Sequence, residues 1–136
     1  MELEPYLSFD GNCEEALAFY VDLFGGKVTA LMRFADSPTG DAMPPVERNR
    51  IMHASFVAPS LKFMASDGNK ARGVKGSRVS LSLSSRDVAE SQRIFNALAD
   101  GGTIEMPFGK TFWGAIFGMV TDRFGIDWMV NAETEG

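Results

Sequence analysis

The sequence predicts an α+β fold in which two βαβββ repeats form a cupped mixed sheet. Three observations predict it. A helix pattern occurs twice, both copies end at a Gly-Gly pair, and the copies match at a constant offset of 76 residues. Each helix pattern follows one strand pattern and precedes three more. A chain of 136 residues and 14.8 kDa fits one domain, so we expect residues 1–136 to fold as a unit.

The first predicted helix covers residues 12–24. Asn12 is the expected N-cap, and acidic residues in the first turn suit the positive end of the helix dipole. Gly25 and Gly26 end the helix. Its buried face follows the i, i+3, i+4, i+7, i+8 pattern and contains Ala16, Phe19, Tyr20, Leu23 and Phe24.

The second predicted helix covers residues 87–99 and ends at Gly101 and Gly102. Its expected buried face contains Val88, Gln92, Phe95, Leu98 and Ala99, with Gln92 a polar exception. Matches at the offset of 76 are Phe19 with Phe95, Glu14 with Glu90, Leu7 with Leu83, and Val28 with Ile104. We therefore predict a duplicated unit, at about 4–67 and about 78–132, joined by a linker at about 68–77.

Eight strands are predicted, four in each unit. They cover residues 5–9, 27–34, 50–57, 61–66, 78–84, 103–106, 112–121 and 126–131. The clearest strand alternates Val or Leu with Ser, so Val79, Leu81 and Leu83 are expected to pack under the second helix. Ser80, Ser82 and Ser84 then face the other side, where either solvent or a cavity is expected. By the repeat, Leu7 and Phe9 pack under the first helix, while Tyr6 and Ser8 point with the serines.

Two segments are predicted to be irregular. Residues 36–49 contain three prolines and are long for a connection, which fits either a lid or a disordered surface loop. Residues 67–77 are rich in glycine and locally basic through Lys70, Arg72 and Lys75. That charge is typical of a solvated linker, with an anion site as the alternative.

Composition excludes several classes of function. Thirteen Lys and Arg against eighteen Asp and Glu give a net charge of −5, which argues against a nucleic-acid partner. The acidic N-terminus does not resemble a signal peptide, and no long apolar run predicts a membrane span. The single cysteine, Cys13, excludes an internal disulfide. We expect a cytoplasmic protein with no membrane partner.

Specific phrases resemble a known family. They include YLSFDGNCEEA at 6–16, IMHA at 51–54, FMASD at 63–67, FWG at 112–114 and DRFGIDW at 122–128. With the doubled βαβββ order, they are similar to the vicinal oxygen chelate superfamily of glyoxalase I, bleomycin-resistance proteins and extradiol dioxygenases. They most resemble its PhnB-like branch, often labelled 3-demethylubiquinone methyltransferase-like. No Gly-x-Gly-x-x-Gly phrase supports methyl transfer. The resemblance implies a glyoxalase/bleomycin-resistance-like fold and a homodimer.

The resemblance also implies a metal site, with one ligand from each of four strands. The corresponding positions here hold Tyr6, Met64, Ser80 (or Ser82) and Met129. None is a usual ligand of a divalent metal, which prefers imidazole, carboxylate or thiolate. We therefore predict no metal ligand and no cofactor.

Two residues are candidates for catalysis. His53 is the only histidine and suits acid–base chemistry near neutral pH, although a lone strand histidine is more often structural. Glu105 is either a cavity carboxylate or an exposed strand charge. Cys13 is expected to be a packed, inert thiol. Predicted ligand-binding residues are Tyr6, Met64, Ser80, Ser82, Trp113 and Met129.

The favoured function is binding of a small apolar or carbonyl-type molecule in the sheet cavity, without the family's metal. The alternative is a metal-dependent isomerase, lyase or dioxygenase-like enzyme with a relocated site. A purely structural or regulatory dimer is a third interpretation, and a phosphonate-like anion near Lys70, Arg72 and Lys75 is a fourth.

Overall fold

The computed structural model describes residues 1, 3–38, 40–67 and 79–132 of the chain. It contains two compact units, Met1–Gly73 and Val74–Gly136. Each unit has one four-stranded mixed sheet with a long helix against it. The expected linker at 68–77 and its basic residues lie outside the described residues.

In the first unit, the long helix follows the first strand. The elements are β1 (Tyr6–Phe9), α1 (Cys13–Phe24), β2 (Lys27–Arg33), α2 (Pro45–Arg48), β3 (Ile51–Ala58) and β4 (Leu61–Asp67). The strand order is β1-β4-β3-β2, in which β1 runs parallel to β4 and the other pairs are antiparallel. The segment expected to be a loop contains the short helix α2 and the 3₁₀ turns Phe34–Asp36 and Gly40–Ala42.

The second unit repeats this topology. Its elements are β5 (Leu81–Ser85), α3 (Val88–Ala99), β6 (Thr103–Lys110), β7 (Ile116–Thr121) and β8 (Asp127–Ala132). The strand order is β5-β8-β7-β6, again with the first strand parallel to the last. The predicted duplication of a βαβββ unit is therefore confirmed.

The Gly-Gly pairs have the same role in both units. Gly25 and Gly101 have positive φ angles of 67° and 76°, which glycine adopts without strain. The second glycine of each pair lies against the sheet. A Cβ on Gly26 would approach the Val57 carbonyl oxygen to 2.7 Å, and one on Gly102 would overlap the Thr121 carbonyl oxygen. One glycine thus ends the helix and the next allows the chain to enter the sheet.

Aromatic side chains form much of the core of the first unit. Phe56 and Phe63 stack with ring centroids 4.5 Å apart, and Tyr20 of α1 meets Phe63 edge-on at 5.8 Å. Tyr20 and Phe56 are completely buried. In the second unit, Phe95 of α3 and Trp128 of β8 are buried. These buried aromatic residues therefore contribute to stability through apolar burial.

The buried face of α3 differs from the prediction. Gln92 is exposed and Val88 is 38% exposed, whereas Ser91 is buried. Ser91, Phe95 and Leu98 lie at i, i+4 and i+7, so they share one side of the helix. This side overlaps the predicted face at Phe95 and Leu98 but has Ser91 in place of Val88 and Gln92. The pattern of large apolar residues missed this face because a serine occupies its first position.

Two predicted strand starts were wrong. Val79 is 68% exposed and precedes β5, so it does not pack under α3 as expected. Residues 112–115 belong to the turn between β6 and β7, which the Thr111 amide closes by donating to the Ala115 carbonyl at 2.8 Å. Gly114 in this turn has a φ of 91°. The positive φ breaks the extended conformation that the aromatic residues suggested.

Candidate functional site

The open face of the first sheet lies opposite α1. Along β1, Leu7 and Phe9 are buried, whereas Tyr6 and Ser8 are exposed, as predicted. Along β3, Ala54, Phe56 and Ala58 are buried, and the residues between them are only partly covered. This alternation gives the sheet one core face and one accessible face.

Two side chains of this open face form a hydrogen bond across β4. Tyr6 Oη lies 3.2 Å from His53 Nδ1, and the two ring centroids are 5.9 Å apart with planes inclined by 42°. Tyr6 is 47% exposed and His53 is half-buried. Because β4 lies between β1 and β3, both side chains must extend over it to meet. Sequence reasoning identified both residues but not their contact.

Apolar side chains lie beside this pair. Met64 of β4 is the register partner of Tyr6, and Met32 of β2 is the register partner of His53. Met64 is half-buried and Met32 is 44% exposed. Thioether groups adapt their shape readily and make favourable contacts with aromatic rings. Two thioethers therefore flank the pair, while Ser8, Ser55 and Ser66 lie at neighbouring register positions. Met32 had not been predicted as a site residue.

The buried carboxylate of Asp67 holds the strand ends of this unit together. Its Oδ1 accepts hydrogen bonds from the Gly11 amide at 2.8 Å and the Cys13 amide at 3.0 Å. Its Oδ2 accepts one from the Ile51 amide at 2.9 Å. Asn12 occupies the predicted N-cap position, but its side chain makes no cap bond. The Asp67 carboxylate, 54 residues away in sequence from Cys13, instead accepts from the Cys13 amide at the start of the helix.

The two arginines near the start of α1 are paired with carboxylates. Arg33 contacts Glu14 through both guanidinium NH2 groups, at 2.5 and 3.2 Å, and also donates to the Asn49 carbonyl. These hydrogen bonds lower the pKa of Glu14 and raise that of Arg33. Arg50 contacts Asp10 at 2.6 Å. These pairs connect the 34–50 segment to α1 and its preceding turn.

The open face of the second sheet carries a row of methionines. Ser82 pairs with Met129, Met129 with Met119, and Met119 with Met106, so the row crosses all four strands. Met119 and Met129 are half-buried and Met106 is 38% exposed. Ser82 and Met129 are thus register neighbours on β5 and β8, and their role in ligand binding stays a prediction. Ser80 is exposed and precedes β5, so it lies outside the strand where we expected it.

Trp113 and Glu105 lie elsewhere in the second unit. Trp113 is 54% exposed in the β6–β7 turn and contacts the rings of Phe112 and Phe117 at centroid distances of 5.0 and 6.0 Å. Glu105 is exposed on β6 at a register irregularity between Ile104 and Met106. It forms no ion pair with another described residue. Its role as a catalytic carboxylate stays a prediction.

Cys13 is completely buried at the start of α1. Burial raises the pKa of its thiol to about 12, with further contributions from the nearby charges of Asp67 and Glu14. The effect of these surroundings therefore exceeds any lowering by the helix dipole. The structure agrees with the expected inert thiol.

Among residues 3–38, 40–67 and 79–132, no three His, Cys, Asp or Glu side chains are grouped so that they could hold a metal ion. Within the same part of the chain, no helix is both long and apolar enough to cross a membrane.

The doubled sheet topology is that of the glyoxalase/bleomycin-resistance-like fold. The fosfomycin-resistance protein FosX from Listeria monocytogenes shares this fold with a TM-score of 0.67 at 11% identity, over 98% of this chain and 93% of that one. The chain belongs to the family described as 3-demethylubiquinone-9 3-methyltransferase, whose model matches residues 1–131. This confirms the PhnB-like resemblance of the sequence.

Several relatives align over almost their entire length. Protein YjdN from Escherichia coli is 36% identical over 140 residues, which cover 96% of this chain and 95% of YjdN. Protein PA1353 from Pseudomonas aeruginosa is 47% identical with a TM-score of 0.84, covering 99% of both chains. The PhnB protein from Bacillus cereus is 25% identical with a TM-score of 0.84, covering 98% of this chain and 100% of that one.

Proposed function

We propose that the protein binds a small organic molecule with an acceptor oxygen, such as a carbonyl compound, on the open face of its first sheet and without a divalent metal. The observation that carries the proposal is the hydrogen bond between Tyr6 Oη and His53 Nδ1. Both side chains belong to the accessible face of the sheet, where their polar groups can contact a ligand. Ligand sites commonly combine a few such groups with apolar walls.

The surroundings of the pair support a ligand with an apolar part. Met32 and Met64 flank the polar pair on neighbouring strands. Contact with both thioethers favours burial of hydrocarbon or aromatic surface, while a phenol or imidazole N–H can donate to an acceptor oxygen. In the second unit, Ser82 and Met129 offer the same combination of one hydroxyl and one thioether. Their role in binding a ligand stays a prediction.

We propose that binding needs no metal because the side chains at the family's four ligand positions offer poor donor atoms. The four positions that correspond to the family's ligands hold a phenol, two thioethers and a serine hydroxyl, at Tyr6, Met64, Met129 and Ser80 or Ser82. These neutral groups are poor ligands for Zn²⁺, Ni²⁺, Mn²⁺ or Fe²⁺. Methyl transfer, which the family's description names, is not proposed. The sheets have one parallel pair each and lack the parallel doubly wound topology of dinucleotide-type cofactor sites.

A fragment screen tests the proposal. The complete protein is stripped of metal and screened against small carbonyl compounds by melting temperature and tryptophan fluorescence. Saturable binding is expected, and Tyr6→Phe and His53→Gln should each weaken it about fivefold, since one hydrogen bond is worth about 1 kcal/mol. Glu15→Gln, on the exposed surface of α1, is the matched control. Unchanged affinity in both site variants, or no binding at all, contradicts the proposal.

Elemental analysis of protein purified without chelator provides an independent test. We expect much less than one metal ion per chain. About one equivalent of zinc, nickel, manganese or iron would contradict metal independence while leaving ligand binding open to the screen above.

A further inference from the structure

We propose that the row of methionines on the second sheet binds Cu(I), a soft monovalent metal ion. The ligands are the thioether sulfurs of Met106, Met119 and Met129, one from each of three adjacent strands. The inference goes beyond the proposed function, because this site belongs to the second unit and needs neither Tyr6 nor His53. Since Cu(I) does not persist in aerated buffer, the ion has to be supplied to protein purified in air.

The register of the second sheet places the three side chains side by side. Met119 of β7 is directly opposite both Met129 of β8 and Met106 of β6, and the register irregularities of β6 lie on either side of that last pair. Directly opposite residues of antiparallel strands point to the same face, with Cβ atoms about 4.5–5.5 Å apart. Because a methionine side chain has three rotatable bonds, the two outer sulfurs can lean towards the central one. Three thioethers can therefore converge on one ion over β7.

The row lies on the face of the sheet that is turned away from α3. A Cβ on Gly118 would meet the Phe95 ring of α3 at 2.7 Å, so the next residue, Met119, points to the opposite face. Met119 and Met129 are half-buried, and Met106 is 38% exposed. An ion can thus reach the sulfurs from the open face without disturbing the core.

The donor atoms determine the kind of ion. Thioethers are neutral, polarisable donors that suit Cu(I), whereas Zn²⁺, Mn²⁺ and Mg²⁺ prefer imidazole, carboxylate or water. Same-face neighbours of the row are Thr121, two residues after Met119, and Asp127, two residues before Met129. Asp127 accepts a hydrogen bond from the Thr121 hydroxyl at 2.6 Å. The carboxylate favours a cation close by, and the hydroxyl adds no charge.

Other soft donors of the chain are less suited to the ion. Cys13 is completely buried, and burial raises the pKa of its thiol to about 12, so the folded protein offers almost no thiolate at neutral pH. On the first sheet, β3 separates Met32 of β2 from Met64 of β4. Their register partners on β3 are His53 and Ser55. The row of the second sheet instead brings three thioethers together as direct neighbours.

A titration with Ag(I) tests the inference, because Ag(I) has the charge and softness of Cu(I) but does not change its oxidation state. The complete protein, labelled with carbon-13 in its methionine methyl groups, is titrated with silver nitrate in chloride-free buffer and followed by NMR. We expect the methyl signals of the row to shift together and to saturate at one ion per chain. Cu(I) added without oxygen should shift the same signals, and Zn²⁺ should shift none of them.

Substitutions assign the ligands. Met119→Leu removes the central sulfur with little change of volume. It should weaken Ag(I) binding at least about tenfold, because even the outer partners of metal ligands typically contribute about 10- to 100-fold to affinity. Met106→Leu, on the more exposed β6, should also weaken binding and keeps the test valid if Met119→Leu is unstable. Met52→Leu, at a half-buried position of β3, is the matched control and should bind as tightly as the unaltered protein, as should Cys13→Ala.

Three outcomes overturn the inference. The first is a titration in which the methyl signals of the row do not move, or move only with Zn²⁺. The second is unchanged affinity in both Met119→Leu and Met106→Leu, or loss of binding in Cys13→Ala. The third is binding of the first equivalent at His53, seen through the imidazole signals of this only histidine. Binding of carbonyl compounds is measured in separate samples, so failure here leaves the proposed function standing.

Discussion

At the residue scale, two buried side chains near the start of α1 have different roles. The carboxylate of Asp67 accepts hydrogen bonds from the backbone, whereas the thiol of Cys13 is packed in the core. Asp67 is 3% exposed and accepts three backbone amide hydrogen bonds, two from the start of α1 and one from the start of β3. Cys13 is fully buried beside it, with a raised pKa. The sequence indicated the burial of Cys13, but nothing local in it indicated the capping role of Asp67. That role depends on the parallel pairing of β1 with β4.

Asp67→Asn should lower the free energy of unfolding by about 1.5 to 3 kcal/mol, the typical worth of hydrogen bonds to a charged group. An amide NH2 in place of one oxygen would face a backbone donor. Urea denaturation measures the change. Asp10→Asn is the control, since the exposed Asp10–Arg50 pair should contribute at most about 1 kcal/mol. Equal effects of the two substitutions would contradict the capping role.

Cys13 should resist modification by a thiol reagent at pH 8 in the native state and react after unfolding, because only the thiolate is nucleophilic. Its pKa is about 12 in the folded protein and lower when the chain unfolds. The stability that comes from the protonated thiol is therefore complete below pH 9 and is lost as the pH rises towards 12. Cys13→Ala should lack this part of the decline. Rapid native labelling at pH 8 would contradict the burial.

At the scale of elements, the sequence predicted the order of helices and strands along the chain well because their signals are local and repeated. The Gly-Gly pairs and the alternation in β1 correspond directly to observed features. The errors occurred where tertiary contacts or turn geometry overrode the pattern. The 112–115 turn contains two exposed aromatic residues that imitate a strand, and Ser91 occupies a core position that hydrophobicity does not mark.

Gly102→Ala should destabilise the protein by about 1 to 3 kcal/mol, since the added methyl group would overlap the carbonyl of Thr121 and force the backbone to shift. Gly109→Ala is the matched control in the adjacent β6, because its Cβ would meet no atom within 4 Å. The control should leave stability unchanged or raise it by up to about 1 kcal/mol. Thermal or urea unfolding distinguishes the two. A stable Gly102→Ala protein would refute the close packing.

At the scale of the whole molecule, the repeated topology shows how similar sheets can carry different side chains on their open faces. The first sheet presents Tyr6 and His53, whereas the second presents a serine and a row of methionines. The sequence identified Tyr6 and Ser82 by alternation, His53 as the only histidine and Met129 through the family resemblance, and it did not identify Met106 or Met119. It could not identify the Tyr6–His53 contact, which depends on side chains from β1 and β3 meeting over the strand between them.

The family resemblance predicts a homodimer. Light scattering coupled to size exclusion should then give twice the 14.8 kDa chain mass at micromolar concentration. A mass equal to one chain over the same concentration range would contradict this prediction. It would not affect the proposed site in the first unit.

The most direct test of the ligand-binding account is a nitrogen-15 NMR titration of the His53 imidazole in metal-stripped protein with small carbonyl compounds. A single histidine makes the signals unambiguous. The account predicts saturable shifts of the imidazole resonances that are weakened in Tyr6→Phe. Resonances that stay fixed with every compound, or that respond only after a divalent metal is added, would contradict it.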